Sequence, residues 1–161
     1  MEKTIVLLDG MSGGKTAFIQ TIKENGYWTW NVNAYNVIGV IARKLGSDGE
    51  RNKDYYDFIN QVKDLADQYF DFERKNTLSM IEKFMQHDRA MVLILHNVSQ
   101  DIGIELKDFY QNCFDILVTD GEVEDNSYCK TLNYNDPNFV DNVLHVMNVL
   151  TKSFESKKGE E

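Results

Sequence analysis

Short, almost wholly apolar runs alternate along this chain with longer segments in which apolar residues recur at helical spacing. The apolar runs predict strands at residues 3–8, 27–32, 90–95, 114–119 and 128–134. The longer segments predict helices at residues 15–25, 34–45, 53–69, 73–87, 101–110 and 137–154. Strands that are apolar on both faces are typical of parallel sheets covered by helices. The pattern therefore predicts an α/β fold of three layers, α/β/α, with a mostly parallel sheet of about five strands and a helical insertion after the second strand.

No linker or repeat divides the chain, so residues 1–154 are predicted to form a single domain, followed by a charged, frayed tail at residues 155–161. The length of 161 residues and the hydrophobic content of 42% are those of an ordinary globular protein. No apolar run approaches the roughly 18 residues of a membrane span, and the N-terminus lacks a signal-peptide pattern. Cys113 and Cys129 show neither metal-ligand nor disulfide spacing, so we expect a reduced, cytoplasmic location.

The formal net charge of −9 limits the partners that the chain can have. A nucleic-acid surface needs a basic patch to displace counterions, so no nucleic-acid partner is predicted, and no membrane partner is predicted either. Small phosphorylated ligands are compatible with an acidic protein, because a few local cations and backbone amides are enough to hold them. The sequence leaves a homo-oligomer open.

The segment Asp9–Thr16 joins the first predicted strand to the first predicted helix and reads Asp-Gly-Met-Ser-Gly-Gly-Lys-Thr. A strand, a glycine-rich turn, Lys-Thr and a helix in this order describe a phosphate-binding loop, or P-loop. The usual motif places about four residues between its first glycine and Gly-Lys-Thr, whereas here Asp9 stands in the first glycine position. Two interpretations stay open: the loop has kept its length and lost that glycine, or it has kept the glycine as Gly10 and is one residue shorter.

The residue types of this segment suit the binding of a nucleotide, with ATP as the expected ligand. Lys15 is predicted to reach the β and γ phosphates, and the hydroxyl of Thr16 to ligate Mg²⁺. Asp9 places a carboxylate near the phosphates, which is unfavourable unless a cation intervenes, or it points away and acts as a base or a hydrogen-bond acceptor. The alternative is a glycine-rich turn that carries a surface lysine. Glycines let backbone amides approach phosphates, so the predicted nucleotide-binding residues are Gly10, Met11, Ser12, Gly13, Gly14, Lys15 and Thr16.

The layout resembles the P-loop nucleoside and nucleotide kinases, in particular the deoxynucleoside monophosphate kinases of phages and their bacterial relatives. The resemblance rests on the Asp9–Thr16 loop, the helical insertion, the strand-loop-helix at residues 92–101, and the closing strand and helix after Thr131. It implies a P-loop NTPase fold, ATP as the phosphoryl donor with Mg²⁺, and an acceptor nucleotide held by the helical insertion. The chain departs from the family's pattern at His96, where a strand-end acid is expected, and in having no arginine after Arg89.

Several other residues are candidates for contacts with a ligand. Arg51, and with it Arg43, would clamp an acceptor phosphate in the kinase interpretation, because a planar guanidinium binds phosphate in bidentate fashion; otherwise they belong to a solvated loop. Asn31 and Asn33 would reach a ligand or cap the next helix. His96 would act as a base or contact phosphate, or else satisfy local hydrogen bonds.

Two main functions follow from these observations. The leading prediction is an ATP-dependent kinase of a small molecule such as a (deoxy)nucleoside monophosphate, with Lys15, Arg51 and Asp9 as its catalytic residues. The alternative is a nucleotide-binding protein of the same fold without transferase activity, which would act on a partner or as a regulator. A third interpretation is an interaction module that binds no nucleotide.

Overall fold

The computed structural model describes residues 3–33, 35–121 and 125–159, with side chains described as far as Thr151. The elements follow in the order β1 (Thr4–Gly10), α1 (Ser12–Glu24), β2 (Thr29–Val32), α2 (Tyr35–Lys44), α3 (Lys53–Phe70), α4 (Phe72–Gln86), β3 (Val92–His96), α5 (Gln100–Phe109), β4 (Cys113–Thr119), β5 (Lys130–Asn133) and α6 (Phe139–Gly159). None of the helices in the described part of the chain is both long and apolar enough to cross a membrane.

The five strands form one sheet in the order β2-β3-β1-β4-β5. Strand β1 pairs in parallel with β3 on one side and with β4 on the other, and β4 pairs in parallel with β5. Helices α2, α3 and α4 stand between β2 and β3 along the chain. The predicted α/β class, the parallel five-stranded sheet and the helical insertion after the second strand are therefore confirmed.

Two helices begin two or more residues away from their predicted starts. Helix α1 begins at Ser12 and not at Lys15, because the Lys15 amide already donates a helical hydrogen bond of 3.0 Å to the Met11 carbonyl. Helix α6 begins at Phe139 and not at Pro137, because the amides of Asn138 and Phe139 fold back onto Asp136 in a turn, at 2.8 and 3.0 Å. The predicted tail at residues 155–161 falls partly on the end of α6 and partly outside the described residues, and it stays a prediction.

The chain divides into two compact units, the first comprising residues 1–31 and 84–161. In this unit the side chains that alternate along the strands on one face of the sheet pack against α1 and α6. On the opposite face Gly103 of α5 lies against Leu7. Helices thus cover both faces of the sheet, as the three-layer prediction requires. The core between this face and the two helices is formed mainly by Val6, Leu8, Phe18, Ile22, Ile94, Ile116, Val118, Val143 and Met147, all of them buried.

The second unit comprises residues 32–83 and has a small core of its own around Ile38, Ala42 and Ile59. Its helices are capped locally: the side chain of Asn33 accepts the Tyr35 amide at 2.9 Å, as one of the two interpretations of Asn33 predicted. Because each unit has its own core, the single domain at residues 1–154 stays a prediction.

Lys3, directly before β1, forms hydrogen bonds with the end of α4 and the segment that follows it. These contacts lead to a prediction about stability. Its ammonium donates to the carbonyls of Phe84 at 2.7 Å, Ala90 at 2.9 Å and His87, and it lies 4.6 Å from the centroid of the Phe84 ring. Lys3→Met removes the donor of three carbonyls, and we expect the free energy of unfolding in urea to fall by roughly 2–3 kcal/mol. The control Lys53→Met, which breaks an exposed ion pair with Asp57, should change it by about 0.5 kcal/mol or less. Equal losses in the two variants would contradict this role.

Candidate functional site

The connection from β1 to α1 is a turn of minimal length. Gly10 has a φ of 117°, and the amide of Met11 donates to the carbonyl of Val118 in β4 at 3.1 Å before the helix begins at Ser12. A Cβ at Gly10 would lie 2.9 Å from the carbonyl carbon of Val118 and closer still to its oxygen, so only glycine fits. Of the two interpretations of the irregular motif, the structure thus favours the shorter loop that keeps Gly10.

This turn corrects the predicted arrangement of the amides that would hold phosphate. The amides of Met11 and Lys15 are bonded to the carbonyls of Val118 and Met11, and so are not available to a ligand. Ser12, Gly13 and Gly14, which were predicted to lie in a loop, form the first turn of α1. The reason is that the bond from Met11 to β4 holds the chain against the sheet, which leaves no length for a wider loop.

The N-terminus of α1 has the properties of an anion-binding position. The first amides of a helix have no partner within it, and here the side chain of Met11 makes no cap hydrogen bond. The first turn carries no acidic residue that would compete with an anion. Ser12 and Gly13 are exposed. The helix dipole and these amides together favour a bound phosphate.

Lys15 lies in this first turn and is almost completely buried, with 7% of its surface exposed. Within the described part of the chain its ammonium makes no hydrogen bond and no ion pair, although the carboxylate of Asp9 is near enough to interact with it electrostatically. Burial lowers the pKa of Lys15, and Asp9 partly opposes that effect. Burying an ammonium without a partner is unfavourable. A ligand with negative charge would supply the missing partner.

His96 lies at the end of β3 and does not form an ion pair with Lys15, because its imidazole is neutral. Its Nε2–H donates to the side-chain oxygen of Asn31 in β2. Burial, and after it the charge of Lys15, lowers the pKa of His96 to about 4, so the imidazole is neutral at pH 7. An acid in this position, as the kinase resemblance implies, would neutralise Lys15, whereas a neutral imidazole leaves the ammonium available. His96 and Asn31 also line a cleft of about 350 Å³ beside Thr16.

Thr16 is exposed, and its hydroxyl donates to the carbonyl of Ser12 at 3.1 Å. That bond uses the hydroxyl hydrogen and leaves the oxygen lone pairs free, as a metal ligand requires. Among the described residues no group of three or more His, Cys, Asp or Glu side chains could hold a metal ion. Mg²⁺ commonly keeps several waters and binds through phosphate oxygens with few protein ligands, so the predicted role of Thr16 fits this geometry.

Asp9 points to the other face of β1, the face of Leu7, and is part of a second group of polar residues. The hydroxyl of Tyr128 donates to Asp9 Oδ2 at 2.9 Å. Nearby, Lys107 and Asp115 form an ion pair of 2.7 Å. Tyr128 and Asp115 were not predicted as site residues. Asp115 could have been noticed as a charged residue inside an apolar strand, whereas Tyr128 is 119 positions from Asp9 and carried no local signal.

Arg51 lies in the second unit and is exposed, immediately before Asn52, the N-cap of α3. Arg43 is in the same unit and its guanidinium lies against Gly49. A cavity of about 410 Å³ in this unit is lined by the carboxylates Asp48, Glu50 and Asp54, and its described lining includes no Lys or Arg. The structure therefore brings Asp9, Lys15 and His96 together at one edge of the sheet, and it places Arg51 in a different unit.

The position of Asp9, Lys15 and His96 in the sheet is typical of ligand sites in α/β proteins. Strands β1 and β3 are neighbours, and the helices that follow them, α1 and α5, lie on opposite faces. A crevice forms where neighbouring strands send their connections to opposite faces, and ligands bind there, at the carboxyl ends of the strands. Asp9, Lys15 and His96 lie at this crevice.

Comparison with known proteins gives a structural likeness but no family match. No protein-family model matches the chain. No curated protein matches it either. Among solved structures the chain is similar to the solution NMR structure of a de novo designed protein described as a P-loop NTPase fold, with 11% sequence identity, 94% of each chain covered and a TM-score of 0.45. A likeness of this size carries no conclusion about activity.

Proposed function

We propose that the protein binds a nucleoside triphosphate through the N-terminus of α1 and Lys15, and transfers the terminal phosphoryl group to a small molecule. The observation that carries the proposal is Lys15, a residue that is 7% exposed and lies in the first turn of a helix, and whose ammonium has no hydrogen-bond or ion-pair partner in the described part of the chain. A polyphosphate matches this combination of a buried cation and free amides in both charge and geometry.

In this proposal the amides of Ser12, Gly13 and Gly14 hold phosphate oxygens, and the ammonium of Lys15 neutralises their charge. At Gly13 an added Cβ would approach only the end of the Met11 side chain, at 4.0 Å, so a phosphate can come close to the backbone. The Thr16 hydroxyl is the protein ligand for Mg²⁺, which would neutralise further phosphate charge when bound. The sequence resemblance implies that the acceptor is a (deoxy)nucleoside monophosphate.

A nucleotide-binding protein without transferase activity is the second candidate function, and two observations favour it. His96 is neutral where the family has an acid. In the first unit the sequence contains a single arginine, Arg89, and it lies in the turn before β3, at the opposite end of that strand from His96. Phosphoryl transfer depends on positive charge around the transferring group, which arginine commonly supplies.

Calorimetry tests nucleotide binding, and a screen of acceptors separates the two candidate functions. We expect Mg²⁺·ATP and Mg²⁺·ADP to bind, and adenosine, which has no phosphate, to bind at least about 100-fold more weakly. Equal affinity for ATP and adenosine would refute the role of α1 and Lys15. A screen for ADP formation with nucleosides, nucleoside monophosphates and sugars then decides between the two candidates, since binding without turnover on any acceptor identifies the second.

The affinity for ATP should decrease at alkaline pH. The decrease should begin at a lower pH than it would for a lysine with the usual pKa. Burial lowers the pKa of Lys15 below its usual 10.5 in the free protein, while bound phosphate favours the ammonium. Below the free-protein pKa the affinity is independent of this group; as pH rises through that pKa, the affinity falls by up to about tenfold per pH unit and binding takes up a proton. Calorimetry in buffers of different ionisation enthalpy measures the uptake. The variant Lys15→Arg, which stays charged, should show neither effect.

A further inference from the structure

A cleft of about 610 Å³ opens beside Asp9, on the α5 side of the sheet. Its lining includes the apolar residues Leu7 and Ile104. It also includes the polar residues Gln100, Lys107, Asp115 and Tyr128. Small-molecule sites commonly have volumes of about 300–1,000 Å³ and combine apolar surface with a few polar groups, so the cleft is large enough for a molecule of nucleoside size.

Asp9 connects this cleft to the proposed phosphate site. Its carboxylate lines the cleft and also interacts electrostatically with the ammonium of Lys15. One oxygen, Oδ2, accepts the hydroxyl of Tyr128, which leaves Oδ1 for another donor. A hydroxyl group bound to Asp9 from the cleft would therefore lie beside phosphates held by Lys15.

The charges of the cleft exclude an acceptor that carries a phosphate. Three carboxylates line it, Asp9, Asp115 and Asp125, and the cation among its described lining residues is Lys107. The ammonium of Lys107 is already paired with Asp115 at 2.7 Å. A monophosphate would meet uncompensated negative charge there, whereas a neutral alcohol or an amine would find hydrogen-bond acceptors. The cavity of the second unit offers no cation among its described lining residues either.

We propose that this cleft is the acceptor site, that the acceptor is a neutral or cationic alcohol such as a nucleoside, sugar or amino alcohol and not a nucleoside monophosphate, and that Asp9 is the general base. The inference rests on the proposed phosphotransferase function and narrows its substrate class. Tyr128 is a positioning residue that holds the Asp9 carboxylate. Burial and the neighbouring Asp9 raise the pKa of Tyr128 to about 12, so its hydroxyl remains a donor throughout the physiological range.

Phosphoryl transfer to the acceptor forms one bond to phosphorus and breaks another. The acceptor hydroxyl oxygen forms a bond to the γ-phosphorus of ATP, and the bond between that phosphorus and the β,γ-bridging oxygen breaks, with its electron pair going to ADP. Asp9 takes the hydroxyl proton and releases it to solvent after the products leave. The products are a phosphate monoester, ADP and one proton.

The test is an acceptor panel with Mg²⁺·ATP and the full chain, in which nucleosides, hexoses, amino alcohols and nucleoside monophosphates are compared by ADP release. We expect turnover with a neutral or cationic alcohol. Turnover with nucleoside monophosphates alone overturns the inference and leaves the proposed phosphotransferase intact. ATP binding with no turnover on any acceptor overturns the inference and leaves nucleotide binding. A chain that binds no ATP overturns the proposed function together with the inference.

Variants identify the base. Asp9→Asn should reduce kcat by about 100-fold or more while ATP affinity measured by calorimetry is unchanged or slightly higher, because a carboxylate near the phosphates is lost. Tyr128→Phe should lower kcat about tenfold and leave KM for ATP unchanged, a split that a general loss of structure would not produce. The control Asp101→Asn makes the same chemical change at an exposed position in the first turn of α5 and should leave kcat unchanged. Full activity of Asp9→Asn refutes the base assignment, whatever acceptor is used.

Discussion

Replacing Lys15 with methionine should abolish nucleotide binding and, at the same time, make the protein more stable. The ammonium is buried with 7% of the residue exposed, and within the described residues it has no hydrogen-bond or ion-pair partner. A methionine of similar length fills the same space without a charge that must be desolvated. We expect the free energy of unfolding to rise by roughly 0.5–2 kcal/mol and the affinity for Mg²⁺·ATP to fall by roughly 100-fold or more.

The size of the stability change depends on pH, which makes the test specific. The folded-state pKa of Lys15 lies below its usual value, so the folded protein holds that proton less tightly than the unfolded chain. The destabilising effect of the charge is fully present at neutral pH and disappears as pH rises through the lowered pKa. The gain from Lys15→Met in urea unfolding should therefore be largest near neutral pH and shrink at alkaline pH.

Lys23→Met is the matched control, since Lys23 is exposed and lies in the last turn of the same helix. Its removal loses a favourable interaction with the helix dipole, so we expect a loss of a few tenths of a kcal/mol and no change in ATP affinity. If Lys15→Met were less stable than the unmodified chain and still bound ATP, Lys15 would be a packing residue and the proposed function would be wrong. If the unpaired charge of Lys15 lowers the stability of the protein, its presence supports a role of that charge in binding.

The sequence was sufficient for the parts of the structure that depend on local pattern. Apolar runs such as residues 4–8 and 92–95 have no polar face, so a parallel sheet with helices on both sides was predictable. The glycines and Lys15 directly after β1 predicted a phosphate site at the start of a helix. These features need only the periodicity of the chain and the conformational freedom of glycine.

The remaining features depend on pairs of residues far apart in the chain. The helix begins at Ser12 because Met11 bonds to Val118, and no local preference announces that bond. The unpaired state of Lys15 depends on a neutral His96 bonded to Asn31, and the cleft depends on Tyr128 reaching Asp9. The order of the strands, with β3 inserted between β2 and β1, likewise depends on pairing between residues far apart in the chain. The phosphate site at the start of α1 was therefore predictable from local pattern and stays a prediction, whereas the cleft beside Asp9 carried no such signal.

Replacing Gly10 with alanine should destabilise the protein by roughly 2–4 kcal/mol, through two separate effects. The φ of 117° is unfavourable for any residue with a Cβ. The added carbon would also lie 2.9 Å from the carbonyl carbon of Val118, which is backbone and cannot move aside without disturbing the pairing of β1 with β4. Because the Met11 amide bonds to the same carbonyl, we expect the start of α1 to shift and ATP affinity to fall as well.

Two further glycines separate these effects in urea unfolding. Gly26 has a φ of 92° but open space around it, so Gly26→Ala measures backbone strain alone and should cost about 1 kcal/mol. Gly13 is helical and nearly free of neighbours, so Gly13→Ala should stabilise the protein by up to about 1 kcal/mol, while the new methyl group hinders the approach of phosphate and weakens ATP binding. The difference between Gly10→Ala and Gly26→Ala isolates the contact with Val118. If the two variants lost the same stability, β4 would not hold the turn in place, and the short connection between β1 and α1 would have to be explained by the glycine conformation alone.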